Sequence, residues 1–132
     1  MEENLQQKTV CVVDDDKDIL DIYSTKFKRE GFAVVIARDG EEGLLVIKRE
    51  RPDVILLDIQ MPMLDGIGVL KVLKSDPDLA KIPVVVLSNI DSEEMFHTIS
   101  ELGAAQYYLV KALADPQKVV DVTLEALAGH QE

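Results

Sequence analysis

Five short apolar runs constrain the fold of this chain more than any other feature of its sequence: Thr9 to Val13, Ala33 to Ala37, Val54 to Leu57, Val84 to Leu87 and Tyr107 to Val110. Each is rich in valine, isoleucine or leucine and lacks polar alternation, the pattern of a strand buried on both faces. The stretches between them carry helical spacing and explicit boundary signals. Asp16 can cap a helix running to Arg29 that Gly31 ends, Asp39 with Glu42 and Asp91 with Glu94 make capping boxes, and Asp115 followed by Pro116 supplies a cap and a first-turn proline for the last helix. Parallel neighbours need a crossover connection, so strict alternation of strand and helix predicts an α/β chain, a parallel sheet with helices on both faces. The size fits the flavodoxin-like (βα)5 three-layer sandwich, a five-stranded sheet in the order 2-1-3-4-5.

At 132 residues and 47% hydrophobic content the chain can bury one proper core. The expectation is a single domain with its core over about residues 8–128, no repeat, low-complexity tract or linker, and too little chain after Gly129 for an attached output domain. Twenty-five acidic residues against fourteen basic ones give a formal charge of −11, the wrong sign for displacing counterions from a phosphate backbone. No direct nucleic-acid partner is expected. Cys11, the only cysteine, lies inside the first apolar run, which rules out an intramolecular disulfide and a cysteine metal cluster and leaves a buried, inert thiol as the expectation. The polar start, Met1 to Lys8, lacks the regions of a signal peptide, and no apolar run approaches the roughly 18 residues that cross a bilayer. A cytoplasmic location without membrane insertion is expected.

In an open parallel sheet, ligands bind beyond the carboxyl ends of the strands, near the point where strand order reverses. There strand 1 runs into Asp14, Asp15 and Asp16, strand 3 into Asp58, strand 4 into Ser88 and strand 5 into Lys111. Strand 2 runs into Arg38, Asp39 and Gly40, which a helix cap explains. A single aspartate after a strand is commonly only a cap, and a lone serine or lysine there says less. It is the convergence of these chemical types on neighbouring strands that carries information. Clustered carboxylates repel one another unless a cation neutralises them, and Mg²⁺ fits, with Mn²⁺ as an alternative, because it takes a few carboxylates and completes its octahedron with water, main-chain oxygen and phosphate. Asp58 is then suited to attack phosphorus, with the Ser88 hydroxyl and the Lys111 ammonium suited to hold charge on the phosphoryl oxygens.

The runs Val12-Val13-Asp14-Asp15-Asp16, Leu56-Leu57-Asp58-Ile59-Gln60-Met61-Pro62-Met63-Leu64-Asp65-Gly66, Val86-Leu87-Ser88 and Tyr108-Leu109-Val110-Lys111 resemble response-regulator receiver domains of two-component signalling, the single-domain chemotaxis type in particular. The resemblance covers essentially the whole chain. It implies that Asp58 accepts a phosphoryl group from the phosphohistidine of a histidine kinase or phosphotransfer protein, and that the domain then alters its surface toward a downstream protein target. It implies Asp15 and Asp58 as direct Mg²⁺ ligands together with the main-chain carbonyl of Gln60, Asp14 acting through water, Ser88 and Lys111 on the phosphoryl group, and Tyr108 as an aromatic switch alongside Ser88. The chain would be no enzyme in the ordinary sense, catalysing only its own phosphorylation and dephosphorylation. Two positions depart from the family pattern: Asn89 stands where a very small residue is common, and Ala112 where a proline in a cis peptide is common. A cis bond before alanine costs roughly 2.5 to 4 kcal/mol, so the Lys111-Ala112 peptide is expected to be trans.

His97 falls off the buried stripe that Met95, Ile99 and Leu102 define, and His130 sits in the tail, so both are expected at the surface. Val119, Val120, Val122, Leu124 and Leu127 give the last helix more apolar width than one buried face requires. That surplus leaves the last strand and its flanking helices available to a partner, or to a second copy in a homodimer. Two other functions compete. A haloacid-dehalogenase-type aspartyl-phosphate hydrolase places a second aspartate two residues after its nucleophile, where this chain has Gln60, which cannot deliver a proton. A non-phosphorylated pseudo-receiver scaffold has no reason to keep the acidic pair, the acceptor, the hydroxyl and the lysine together.

Overall fold

The computed structural model describes residues 7–59, 61, 64–88, 93–103, 105–110 and 115–129. Its strands are β1 (Thr9–Val13), β2 (Ala33–Ala37), β3 (Val54–Asp58), β4 (Val84–Ser88) and β5 (Tyr107–Val110), and its α-helices α1 (Lys17–Arg29), α2 (Gly40–Glu50), α3 (Gly66–Ser75), α4 (Glu93–Leu102) and α5 (Pro116–Gly129). All neighbouring strands are parallel, in the order β2-β1-β3-β4-β5. The expected topology is therefore present. Strands β3 and β4 run one residue beyond their apolar runs, because main-chain pairing does not depend on side-chain polarity: Asp58 pairs with Leu87, and Ser88 with Val110.

Successive strand residues feed opposite cores, which explains why the runs are apolar at every position. Cys11, Val13, Ile55, Leu57, Val84 and Val86 pack with Val46, Ile47, Val69, Leu70, Leu73 and Ile99 of α2, α3 and α4. Val10, Val12, Val54, Leu56, Val85 and Leu87 pack with Leu20, Tyr23 and Phe27 of α1 and with Val119, Val120, Val122 and Ala126 of α5. Each fully buried Val or Leu side chain stabilises the fold by about 1.5–3 kcal/mol, so the two cores anchor every strand from both sides. Cys11 is fully buried, and that burial, followed by the carboxylates of Glu42 and Glu50, pushes its thiol up to about 12.

The caps at Asp16 and Asp115 are present, and the one at Asp39 differs in a single bond. Asp16 accepts from the amides of Asp18 and Ile19, and Asp115 from that of Lys118. Asp39 accepts from Glu42 N–H at 2.8 Å, but the Glu42 carboxylate accepts from Arg38 N–H at 2.6 Å, one residue earlier than a capping box requires. The sequence reading did not single out Asp65 as a cap, yet it accepts from Gly68 N–H at 3.0 Å and starts α3. Asp91, and with it the capping box expected with Glu94, lies outside the described residues. Gly31, at φ +98°, lets the chain leave α1 in the left-handed region.

The expected surplus on α5 is corrected. Val119, Val120 and Val122 are all buried and Leu127 packs partly into the same core, leaving Leu124 as the exposed member of the set. The reason is that α5 packs against α1 as well as against β3, β4 and β5, so two directions of its circumference are covered. Among the described residues no helix is long and apolar enough to cross a membrane.

Candidate functional site

Strand register brings the acidic residues together. Val13 of β1 is paired with Leu57 of β3, so the residues that follow them, Asp14 and Asp58, emerge side by side from the middle of the sheet. Asp14 and Asp58 are only 1% and 3% exposed, whereas Asp15 is exposed. Ligand oxygens of all three carboxylates lie within 4.8 Å of one another. Asp14 N–H donates to Ala37 O at 3.1 Å, extending the pairing of β1 with β2 one residue past the strand. Its Oδ1 accepts from Asp16 N–H at 2.9 Å, a bond that fixes the carboxylate and turns the chain toward α1. Asp16 itself is occupied as the cap of that helix.

The end of β3 is held from both sides. Ile59 N–H donates to Leu87 O at 3.2 Å, and Ile59 O accepts from Gly66 N–H at 2.9 Å, so the first residue of α3 is tied to the residue that follows Asp58. A Cβ on Gly66 would stand 2.6 Å from both Asp58 O and Ile59 Cα. Only glycine permits that approach. On the next strand, Ser88 is fully buried one position beyond Leu87, the pairing partner of Asp58.

The donor set of the cluster consists of carboxylate oxygens, hard ligands that fit Mg²⁺ or Mn²⁺ and not a thiophilic metal. Three like charges, two of them buried, also favour a cation on electrostatic grounds. Asp15 lies on the exposed side of the cluster.

Tyr108 pairs with Val86, two residues before Ser88. It is half-buried against the core under α2, α3 and α4, and its ring meets that of Phe96 edge-on, with centroids 5.5 Å apart and planes at 87°. Phe96 was not singled out by sequence reasoning. The only available signal was an apolar residue on α4 outside the stripe of Met95, Ile99 and Leu102. His97 is exposed as expected, 3.7 Å from Glu101. Gln60, Asn89, Lys111, Ala112 and His130 lie outside the described residues, and with them the expected carbonyl ligand, the phosphoryl-binding ammonium and the Lys111-Ala112 peptide.

Comparison with known proteins agrees with this geometry. The family model described as the response regulator receiver domain matches residues 10–123. A probable transcriptional regulator, ycf27, of Porphyridium aerugineum is 37% identical over 103 residues, covering 78% of this chain and 42% of the relative. The alkaline phosphatase synthesis transcriptional regulatory protein PhoP of Bacillus subtilis is 38% identical over 100 residues, covering 76% of this chain and 41% of the relative. The chain thus spans about two fifths of the length of these curated relatives. Among solved structures, a CheY-like response regulator receiver domain protein from Methanospirillum hungatei superposes with a TM-score of 0.86 at 28% identity, covering 96% of this chain and 98% of the other.

Proposed function

This chain belongs to the response regulator receiver family, a phosphorylation-dependent signalling switch, and from that premise we propose that its phosphoryl group is carried by Asp58. The observation that supports this reading is the convergence of Asp14, Asp15 and Asp58 within 4.8 Å at the ends of adjacent strands. Asp58 is the member delivered by the central strand β3, with the buried hydroxyl of Ser88 on the strand beside it.

The donor is the phosphohistidine of a histidine kinase or phosphotransfer protein. A carboxylate oxygen of Asp58 forms a bond to phosphorus as the bond from phosphorus to the imidazole nitrogen breaks, and that nitrogen keeps the electron pair. Receiver domains bind Mg²⁺ through acidic residues, and here Asp15 and Asp58 would hold it directly with the Gln60 carbonyl, and Asp14 through water. When bound, the cation offsets the mutual repulsion of the carboxylates and supplies positive charge opposite the phosphoryl oxygens. Ser88 donates its hydroxyl to a phosphoryl oxygen and Lys111 pairs with another. The chain is a signalling domain and not a classical enzyme; the chemistry it performs is on itself.

The readout is a population shift. Ser88 and Lys111 bind the phosphoryl group better in one of two arrangements, and the new charge favours that one by the difference in contact energy. Tyr108 repacks beside β4, and the surface of α4, β5 and α5 changes toward a downstream protein. We take residues 8–128 to work as one receiver unit in this way.

The test is intact-mass analysis after incubation with acetyl phosphate and Mg²⁺. Wild type should gain one phosphoryl group and Asp58→Asn none. Equal gain by the two proteins would overturn the assignment.

A further inference from the structure

The segment that joins Asp58 to α3 is anchored along its described length. Ile59 and Met61 are buried in the core under α2, α3 and α4, Ile59 O holds Gly66 N–H, and Leu64 packs partly into the same core. Leu64 is also where α2 meets this segment. A Cβ on Gly40, the first residue of α2, would overlap Leu64 O and stand 2.7 Å from Leu64 C and 2.9 Å from Leu64 Cβ. No rotamer change relieves that overlap, because the obstructing atoms are main chain and the root of a side chain. One turn on, a Cβ on Gly43 would stand 3.0 Å and 3.3 Å from the Cγ atoms of Val13, the residue that precedes Asp14 and Asp15.

Glycine is the poorest helix former after proline, so Gly40 and Gly43 are unfavourable for a helix of 11 residues taken alone. Asp39 already caps that helix through Glu42 N–H, and a cap does not call for glycine after it. What the two glycines share is close approach. Gly43 lies against the strand that leads into Asp14 and Asp15, and Gly40 against the segment that follows Asp58, so one helical turn braces both carboxylate-bearing stretches. We propose that Gly40 is a positioning residue: by admitting the main chain of Leu64 against α2 it fixes the segment from Asp58 to Leu64, and with it the spacing of the carboxylate cluster, at a size that suits a small divalent cation. The proposal rests on the metal-site reading given above. Its chemical consequence is selectivity. Mg²⁺ demands near-ideal octahedral geometry at about 2.0–2.1 Å, whereas Ca²⁺ accepts irregular shells at about 2.3–2.6 Å, so displacing Leu64 penalises Mg²⁺ more.

The experiment titrates the full chain with Mg²⁺ alone and with Ca²⁺ alone, followed by amide shifts around Asp15 and Asp58, and measures urea midpoints and hydrogen exchange without either ion. Gly40→Ala should lose about tenfold in Mg²⁺ affinity and about twofold in Ca²⁺ affinity, a fall of about fivefold in preference. In the metal-free protein the Gly66 amide, bonded to Ile59 O, should exchange about tenfold faster relative to strand amides. Leu64→Ala, which loosens the same segment without crowding α2, should lower the preference by about threefold and supplies the reading if Gly40→Ala does not fold. Two controls separate positioning from stability. Val54→Ala, a core truncation at the amino end of β3, should lower the urea midpoint and leave the preference unchanged. Gly68→Ala, whose Cβ meets Cδ1 at the flexible tip of Leu64, should leave the preference unchanged as well. Positioning is overturned by an unchanged preference in Gly40→Ala, or in Leu64→Ala where Gly40→Ala does not fold, by equal losses for the two ions, or by an equal shift in Val54→Ala. An equal shift in Gly68→Ala overturns the main-chain contact as its cause. A wild type whose amides at Asp15 and Asp58 respond to neither ion rejects the metal-site reading itself.

Discussion

Replacing Asp58 with asparagine should stabilise the metal-free protein, although it removes the proposed phosphoacceptor. Asp14 and Asp58 are 1% and 3% exposed, and with Asp15 they hold ligand oxygens within 4.8 Å of one another. Two unit charges at this separation repel by about 3.5 kcal/mol at an effective dielectric constant of about 20. The exposed Asp15 adds less, since water screens it. Asparagine keeps the shape and one acceptor oxygen, so lost hydrogen bonding offsets about 1 kcal/mol of the relief. The net expectation is a gain of about 2–3 kcal/mol, a rise of about 1.3–2 M in the urea midpoint at an m-value near 1.5 kcal/mol/M. Far-UV circular dichroism without Mg²⁺ measures it. Millimolar Mg²⁺ should then raise the wild type more than the variant and narrow the gap, because the ion binds the native carboxylate cluster. Asp14→Asn, which retains an acceptor for Asp16 N–H, should behave similarly. A lower midpoint for Asp58→Asn, or a gap indifferent to Mg²⁺, would refute the view that mutual repulsion among these carboxylates strains this fold.

Asp15→Ala should abolish most Mg²⁺ affinity in a titration followed by tyrosine fluorescence; unchanged affinity would transfer the ligand role to Asp16, which the structure instead commits to capping α1. Gly66→Ala should lose about 2 kcal/mol or more in urea unfolding and slow labelling by acetyl phosphate, and a neutral result would contradict the close approach of α3 to the end of β3. Cys11 has a folded value raised from 9.0 to about 12, so its contribution to stability is intact below pH 9 and is lost as pH rises toward 12. The slope is about 1.4 kcal/mol per pH unit, and Cys11→Ala should flatten it in alkaline urea titrations. Rapid alkylation of the native thiol at pH 8 would contradict this.

The strands were legible because burial on both faces removes the polar alternation that blurs strand boundaries elsewhere. Even so, the apolar runs stopped one residue short at Asp58 and Ser88, where pairing continues through polar side chains. The cap Asp65 was hidden by its surroundings, since Gly66-Ile67-Gly68 is a poor helical opening whose glycine at 66 is required by the strand beneath it. The width of α5 was misjudged for a different reason. Periodicity reports how much of a helix is apolar, not how many neighbours enclose it, and α5 packs against a helix as well as the sheet. The contact of Phe96 with Tyr108 was illegible for the same reason, because it joins two elements across the edge of the fold.

The convergence of polar residues at the strand ends was legible in the sequence, and burial singles out three of them independently, whereas Gln60 and Lys111 lie outside the described residues. Among the described residues the buried polar or charged side chains are Asp14, Asp58, Ser88 and Thr123. Thr123 is accounted for inside its own helix, where its hydroxyl donates to Val119 O at 2.7 Å. The other three sit at the carboxyl ends of β1, β3 and β4, which are consecutive in the sheet. Burying polar groups is costly, and a fold shaped by stability alone would distribute or avoid that cost. Here it is concentrated at the carboxyl ends of adjacent parallel strands. The carboxylates are held in place by strand pairing before any ligand arrives, so little ordering remains to be done when an ion or phosphoryl group binds. The same pairing places Ser88 and Tyr108 on adjacent strands, and Tyr108 in ring contact with the exposed Phe96.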